Sequence, residues 1–345
     1  MTFNTIPHTE IKVSNICLGT MTFGKQDTIQ DANNQINLAL ENGINFIDTA
    51  EMYAIPASAQ TYGITEEFIG EWIQKSARRH DIVLATKIAG DNRGMDYIRD
   101  DMRYNDATIR LSVEKSLRRL RTDYIDLYQL HWPERKTNMF GQLSYIDEND
   151  DWKDNIFEVL QTVQSLITEG KIRCFGLSNE TPWGITRFLN ESEKHNLPKV
   201  VTLQNPYSLV NRSLEVGISE ICQRDHVGIL AYSPLAFGQL TGKFLNNQQP
   251  PNARLTMFPQ FLRYNTAQCL EAVAKYNSIA QNHNITLTQL SLAFLKQQKI
   301  VASTIIGATT LSQLQENIDA FKTILSQEIL DEINLVQKQF PNPAP

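Results

Sequence analysis

Three ionisable side chains close short apolar runs in this chain. Asp48 ends Asn45-Phe-Ile-Asp, Lys87 ends Ile82-Val-Leu-Ala-Thr-Lys, and His131 ends Tyr124-Ile-Asp-Leu-Tyr-Gln-Leu-His. Tyr53 stands just beyond Asp48. A charged group in such a run is costly unless it is paired. Taken singly, each has a plain structural account: Asp48 and Lys87 as a salt bridge, His131 as a satisfied core histidine. Taken together, at equivalent ends of similar runs and with a phenol beside them, they are groups suited to holding and passing protons. A metal- or carboxylate-based hydrolase would need a second acid or clustered ligands at these ends, and neither is present. The other histidines, His8, His80, His195, His226 and His283, are isolated, so no metal site is expected.

The elements that must position these residues follow from an alternation. Short β-branched or aromatic runs recur at 16–20, 45–49, 82–87, 124–131, 172–178, 200–204, 228–232 and 302–307. Each is mostly apolar and then turns polar, the pattern of parallel strands buried on both faces. Helical period fills 31–42, 65–78, 107–120, 155–169, 183–194, 214–224, 266–283 and 311–325. Thr65-Glu-Glu reads as a helix start, and Gly43 and Gly170 as stops. Eight strands each followed by a helix is the count of a single (β/α)₈ TIM barrel; a doubly wound sheet is the competing layout, which strand count alone does not exclude. In barrel enzymes the chemistry sits at the carboxyl ends of the strands. Phe3–Ser14 reads as a hairpin around a Pro-His-Thr-Glu turn, suited to plug the bottom of a barrel. The tail Asn342-Pro-Ala-Pro345 is expected to fray. No repeat or linker divides the chain, so residues 1–345 are read as one domain.

Composition narrows the class. The 345 residues are 41% hydrophobic, enough for a buried core, which excludes wholesale disorder. The balance of 32 Lys+Arg against 38 Asp+Glu lacks the basic footprint of a nucleic-acid-coating protein. Cys17, Cys174, Cys222 and Cys269 form no C-x-x-C pair, which suits a reducing compartment. The N-terminus has no signal-peptide pattern, and no run approaches the ~18 apolar residues of a membrane span. The sequons at Asn179, Asn190, Asn211 and Asn284 are therefore chance matches, and a cytoplasmic protein with no membrane or nucleic-acid partner is expected. Gly19-Thr-Met-Thr-Phe-Gly-Lys25 comes close to a P-loop, but Gln26 cannot ligand magnesium. No G-x-G-x-x-G fingerprint is present, so a Rossmann cofactor site is unsupported. A bare barrel needs ~250 residues. The surplus maps chiefly onto insertions at 54–64, 90–106, 133–154 and 236–265, each following a strand end that carries candidate residues. They read as the lid and specificity apparatus of one site.

Several segments, in order along nearly the whole chain, resemble the aldo/keto reductases. They are Phe46-Ile-Asp-Thr-Ala-Glu-Met-Tyr53, Ala85-Thr-Lys87, Leu130-His-Trp-Pro133, Gly176-Leu-Ser-Asn179, Leu203-Gln-Asn-Pro-Tyr-Ser208, 231–243 and 305–317. Leu18-Gly-Thr-Met-Thr-Phe-Gly24 and Arg212 are most similar to the bacterial Tas-type subgroup. The resemblance implies a (β/α)₈ barrel that binds NADPH and reduces a small aldehyde or ketone. It makes Tyr53 the proton donor, with Lys87 lowering a phenol pKa that is otherwise ~10. It makes Asp48 the group that fixes Lys87, and His131 a donor to the carbonyl oxygen. The nicotinamide end would be held by Thr20, Met21, Asp48, Ser178, Asn179 and Gln204, with Tyr232 stacked on the ring. Ser233, Pro234, Leu235, Gly238, Leu240 and Lys243 would form the loop over the pyrophosphate, with Arg254 as a second phosphate contact. Gly307, Thr309, Gln313, Glu316 and Asn317 would face the adenosine. Many members place a Lys-Ser pair and an Arg around the 2′-phosphate, where this chain has Gly307-Ala308 and Gln313. Lys243 or Arg254 would then supply the charge; NADPH is expected, with NADH the alternative. Met21, Tyr53, His131 and Trp132 would line the substrate pocket and favour a flat or apolar carbonyl compound. A monomer is the default. The alternative role is a slow-turnover NADPH-binding sensor, as in the related channel β-subunits.

Overall fold

The computed structural model describes residues 1–91, 93–146 and 150–345; Asn92 and residues 147–149, inside two of the expected insertions, lie outside the described residues. Strands β1 (Phe3–Thr5) and β2 (Lys12–Ser14) pair antiparallel. The next eight are all parallel: β3 (Ile16–Gly19), β4 (Phe46–Asp48), β5 (Val83–Ile88), β6 (Ile125–Leu130), β7 (Ile172–Ser178), β8 (Val200–Pro206), β9 (Gly228–Tyr232) and β10 (Val301–Ile306). They pair in sequence order, and β10 bonds back to β3. The barrel is closed, and the doubly wound alternative is excluded.

The helices are α1 (Ile29–Glu41), α2 (Ile64–Ser76), α3 (Asp106–Leu120), α4 (Ile156–Thr168), α5 (Pro182–His195), α6 (Ile218–Arg224), α7 (Arg254–Met257), α8 (Ala267–Asn282), α9 (Leu287–Lys296), α10 (Leu311–Ala320) and α11 (Gln327–Gln339). Three of them differ from expectation. Helix α2 begins after Gly63 rather than at Thr65, because the buried Thr65 hydroxyl donates to the Phe23 carbonyl at 2.8 Å. The segment 214–224 is split at Gly217, whose φ of 96° no helix accommodates, so only its second half is α-helix. Helix α9, not α8, leads into β10. It opens with a capping box in which the Thr286 hydroxyl accepts from Gln289 N–H and the Gln289 side chain accepts from Thr286 N–H.

Alternation along the strands gives the barrel an apolar lower interior of Cys17, Phe46, Val83, Ala85, Leu127 and Leu230. Ile6, Ile11 and Val13 of the hairpin pack into the same cluster and close the barrel floor. The tail does not fray: Ala344 is buried and its N–H donates to Val210 O at 3.1 Å, while Asn342 Oδ1 accepts from Arg212 N–H at 2.7 Å. Among the described residues no helix is long and apolar enough to cross a membrane, and no group of His, Cys, Asp or Glu is arranged to hold a metal.

Candidate active site

The inward phase that puts Phe46 in the barrel interior also puts Asp48 there, two residues on; likewise Val83 and Ala85 are followed by Lys87, and Leu127 by Gln129. The top interior layer is therefore polar. Lys87 Nζ lies 2.7 Å from Asp48 Oδ2 and donates to Thr49 O at 2.7 Å. Asp48 Oδ1 accepts from Gln204 Nε2 at 2.8 Å and from Gln129 Nε2 at 3.4 Å. Both charges are buried, a placement that is tolerable because each is paired and its remaining capacity is hydrogen-bonded. Burial opposes the Lys87 charge, yet Asp48 and Tyr53 hold its ammonium above the usual lysine range.

Tyr53, on the loop after β4, has its ring centroid 5.1 Å from Lys87 Nζ and stands edge-on to His131, with ring centroids 5.8 Å apart. Burial pushes its phenol above the ordinary value, and the lowering by Lys87 does not offset this. Lys87 does pull the phenol down as expected, but in a dry site the desolvation of a phenolate outweighs one nearby cation. Burial, then Lys87 and Arg93, drive the His131 imidazole well below 6.5, so it is neutral at physiological pH. Among the described residues His131 Nδ1 has no hydrogen-bond partner, unlike a satisfied core histidine.

These groups stand at one cavity of about 1520 Å³. Asp48, Tyr53 and His131 line it, together with Thr20, Met21 and Trp132; Lys87 lies beneath, wholly covered. Ser178, Asn179, Gln204 and Tyr232 line it too and are already bonded to one another and to the backbone. Ser178 Oγ donates to Gln204 O at 2.8 Å, Asn179 Nδ2 to His131 O at 2.9 Å, and Tyr232 OH to Asn179 Oδ1 at 2.7 Å.

Beyond Tyr232 the lining continues through Ser233, Pro234, Leu235, Gly238 and Lys243. The backbone there is left-handed at Ser233, Ala236, Phe237 and Gly238, where a Cβ on Gly238 would meet Lys243 Cε at 3.1 Å. Leu240 does not line the cavity: it is fully buried in the hydrophobic core, because this winding turns it inward. Arg254 lines the wall with its guanidinium 4.9 Å from the Phe237 ring centroid. Its polar contacts are Met21 Sδ at 3.6 Å and Gln26 Oε1 at 3.4 Å, and among the described residues it has no carboxylate in ion-pair range. Burial brings it down to about 10. Gly307, Thr309, Gln313, Glu316 and Asn317 complete the cavity; Gln313 Oε1 accepts from Thr309 N–H at 3.0 Å and Asn317 Nδ2 donates to Gly307 O at 3.3 Å.

Sequence reasoning missed several residues of this site. Gln129 was detectable as a polar residue on the inward phase of β6. Glu51, fully buried, accepts from Ala89 N–H, Arg99 Nη1 and Ser112 Oγ, each at 2.7 Å. Its signal was an acid three residues past Asp48, in the loop beyond the strand end itself. Arg93 and Arg263 also line the cavity and sit in insertions, where no periodicity marks a side chain's direction.

The sequence pattern described as the aldo/keto reductase family matches residues 15–338. The chain is 45% identical to Protein tas of Escherichia coli, over all of both chains. It is 32% identical to the oxidoreductase YrpG of Bacillus subtilis, covering all of this chain and 97% of that one. It is 30% identical to norsolorinic acid reductase stcV of Emericella nidulans, over 95% of this chain and 79% of the relative. With the closed parallel barrel and the polar layer at its carboxyl end, this likeness over the full length shows that the chain belongs to the aldo/keto reductase family.

Proposed function

We propose that this oxidoreductase reduces an aldehyde or ketone to an alcohol with NADPH, in one barrel spanning residues 1–345. The observation that carries the reading is the convergence of Asp48, Tyr53, Lys87 and His131 on one polar layer beneath a long cavity. The cavity suits a phosphate-bearing cofactor: Arg254, half-buried and without a carboxylate partner among the described residues, and Lys243 line it beside a loop of left-handed backbone. Ser178, Asn179, Gln204 and Tyr232 would hold the nicotinamide, and Gly307, Thr309, Gln313, Glu316 and Asn317 the adenosine. When bound, the reduced nicotinamide supplies hydride to the carbonyl carbon.

Tyr53 supplies the proton. Its raised pKa keeps the phenol protonated at neutral pH, and the buried Lys87 charge stabilises the phenolate left after donation. Asp48, fixed by Gln204 and Gln129, keeps Lys87 in place. His131, held neutral, carries one N–H donor for the oxygen on which charge accumulates. The reading is tested by mixing purified protein with NADPH and a nitrobenzaldehyde and following loss of nicotinamide absorbance. Oxidation well above a Tyr53→Phe control supports it, and none above that control refutes it. Parallel runs with NADH decide the cofactor: similar kcat/KM with both would remove the case for a 2′-phosphate site.

A further inference from the structure

The ionisable groups around the cavity are unevenly divided. Among the described residues its lining side-chain carboxylates are Asp48 and Glu316, against the cations Arg93, Lys243, Arg254 and Arg263; Pro345, whose O accepts from Arg263 Nε, lines it too. Asp48 is engaged by Lys87, and Glu316 lies in the field of Lys243. With Lys243 and Arg254 assigned to cofactor phosphates and Arg263 engaged by Pro345 O, Arg93 remains, among the described residues, without a lining carboxylate to balance it.

Arg93 and Arg263 lie toward the reacting end. The charge of Arg93 acts on His131 and on Tyr232, and Arg263 lies beside Tyr232 while its Nε donates to Pro345 O at 2.6 Å. Arg93 has its guanidinium 4.3 Å from the centroid of the Phe140 ring, and among the described residues it makes no ion pair. The aromatic rings form a continuous wall between imidazole and guanidinium. The His131 and Trp132 ring centroids are 4.9 Å apart, and those of Trp132 and Phe140 are 6.5 Å apart. A carbonyl placed at Tyr53 and His131 thus has an apolar surface beside it and, at the far end of that surface, a cation whose donors are taken up by none of the described residues. Guanidinium groups bind carboxylates through paired N–H donors.

From this arrangement we infer that the substrate is a carbonyl compound with a flat apolar body along Trp132 and Phe140 and a distal carboxylate received by Arg93. The inference rests on the carbonyl-reductase reading and narrows it.

The test compares 4-carboxybenzaldehyde with its methyl ester, which keeps the aldehyde and ring and removes the charge. The wild type should favour the acid in kcat/KM, and Arg93→Gln should lower the acid-to-ester ratio by roughly 10- to 100-fold, the span of a charged hydrogen bond. Arg93→Lys should restore part of it, and added salt should erode the wild-type preference. The corresponding alcohols, titrated by calorimetry, give a readout that needs no turnover. Acid-selective binding lost in Arg93→Gln supports the inference even if neither aldehyde is reduced, an outcome that would overturn the reductase reading alone. Equal handling of acid and ester by the wild type, or selectivity that survives Arg93→Gln, overturns the inference.

Discussion

Burial sets the working protonation states of Tyr53 and His131. The Tyr53 phenol is pushed above 10 by desolvation, against the pull of Lys87. Carbonyl reduction should therefore hold level through neutral pH and fall only above pH 10, while alcohol oxidation, which needs the phenolate, should rise over the same alkaline limb; kcat/KM profiles in both directions check this. A reduction rate already falling near pH 8 would contradict it. His131 works in the opposite direction on stability. Its folded pKa lies well below 6.5, so below pH 6.5 the unfolded chain binds a proton that the folded chain refuses. Stability is lost as pH falls from 6.5 toward the folded value, and His131→Gln should flatten that part of a thermal-unfolding profile measured from pH 7 to 5. Asp48, Lys87 and His131 were legible in the sequence because each interrupts an apolar run. Arg93 was not, since a loop residue's chemistry depends on where the loop lands.

At the scale of elements, Tyr53 is placed by a clamp behind it. Glu51 N–H donates to Lys87 O at 3.1 Å, and its carboxylate gathers the end of β5 through Ala89, the following loop through Arg99, and α3 through Ser112. Removing one partner of a buried ion pair leaves the other uncompensated, so Glu51→Ala should destabilise the protein by about 3–5 kcal/mol in denaturant unfolding. A loss below ~1 kcal/mol would place the pair among those worth little, as at a surface. Element reading fared unevenly. Strands and most helices follow from period alone, but Thr65, which reads as a helix start, uses its hydroxyl inside the fold. Helix α9 was missed although Thr286 and Gln289 spell its capping box, because a strand-helix-strand expectation leaves no room for two helices in one crossover.

The whole molecule separates its stability from its chemistry along the barrel axis. The lower interior is apolar and sealed by the hairpin, whereas the layer above it holds the ion pair, the phenol and the imidazole. In this fold class residues at the amino-terminal face of the strands serve stability, and those at the carboxyl face serve reaction. The sequence carried that division in its strands, each apolar at its start and polar at its end. It could not carry the cavity's charge balance, which depends on four insertions folding over one opening. Val13 tests the division. Its side chain is fully buried in the floor cluster with Phe46 and Val83, so Val13→Ala removes two buried methyl groups and leaves a void costing about 1–3 kcal/mol. The same change alters none of the hydrogen bonds that hold Asp48, Lys87 or Tyr53 in place. The midpoint of denaturant unfolding should fall while kcat/KM for carbonyl reduction stays within about twofold of wild type, a difference of less than ~0.5 kcal/mol. A matching loss of kcat/KM at temperatures where the variant is folded would mean that the floor and the polar layer are mechanically coupled, and that the plug belongs to the active-site scaffold.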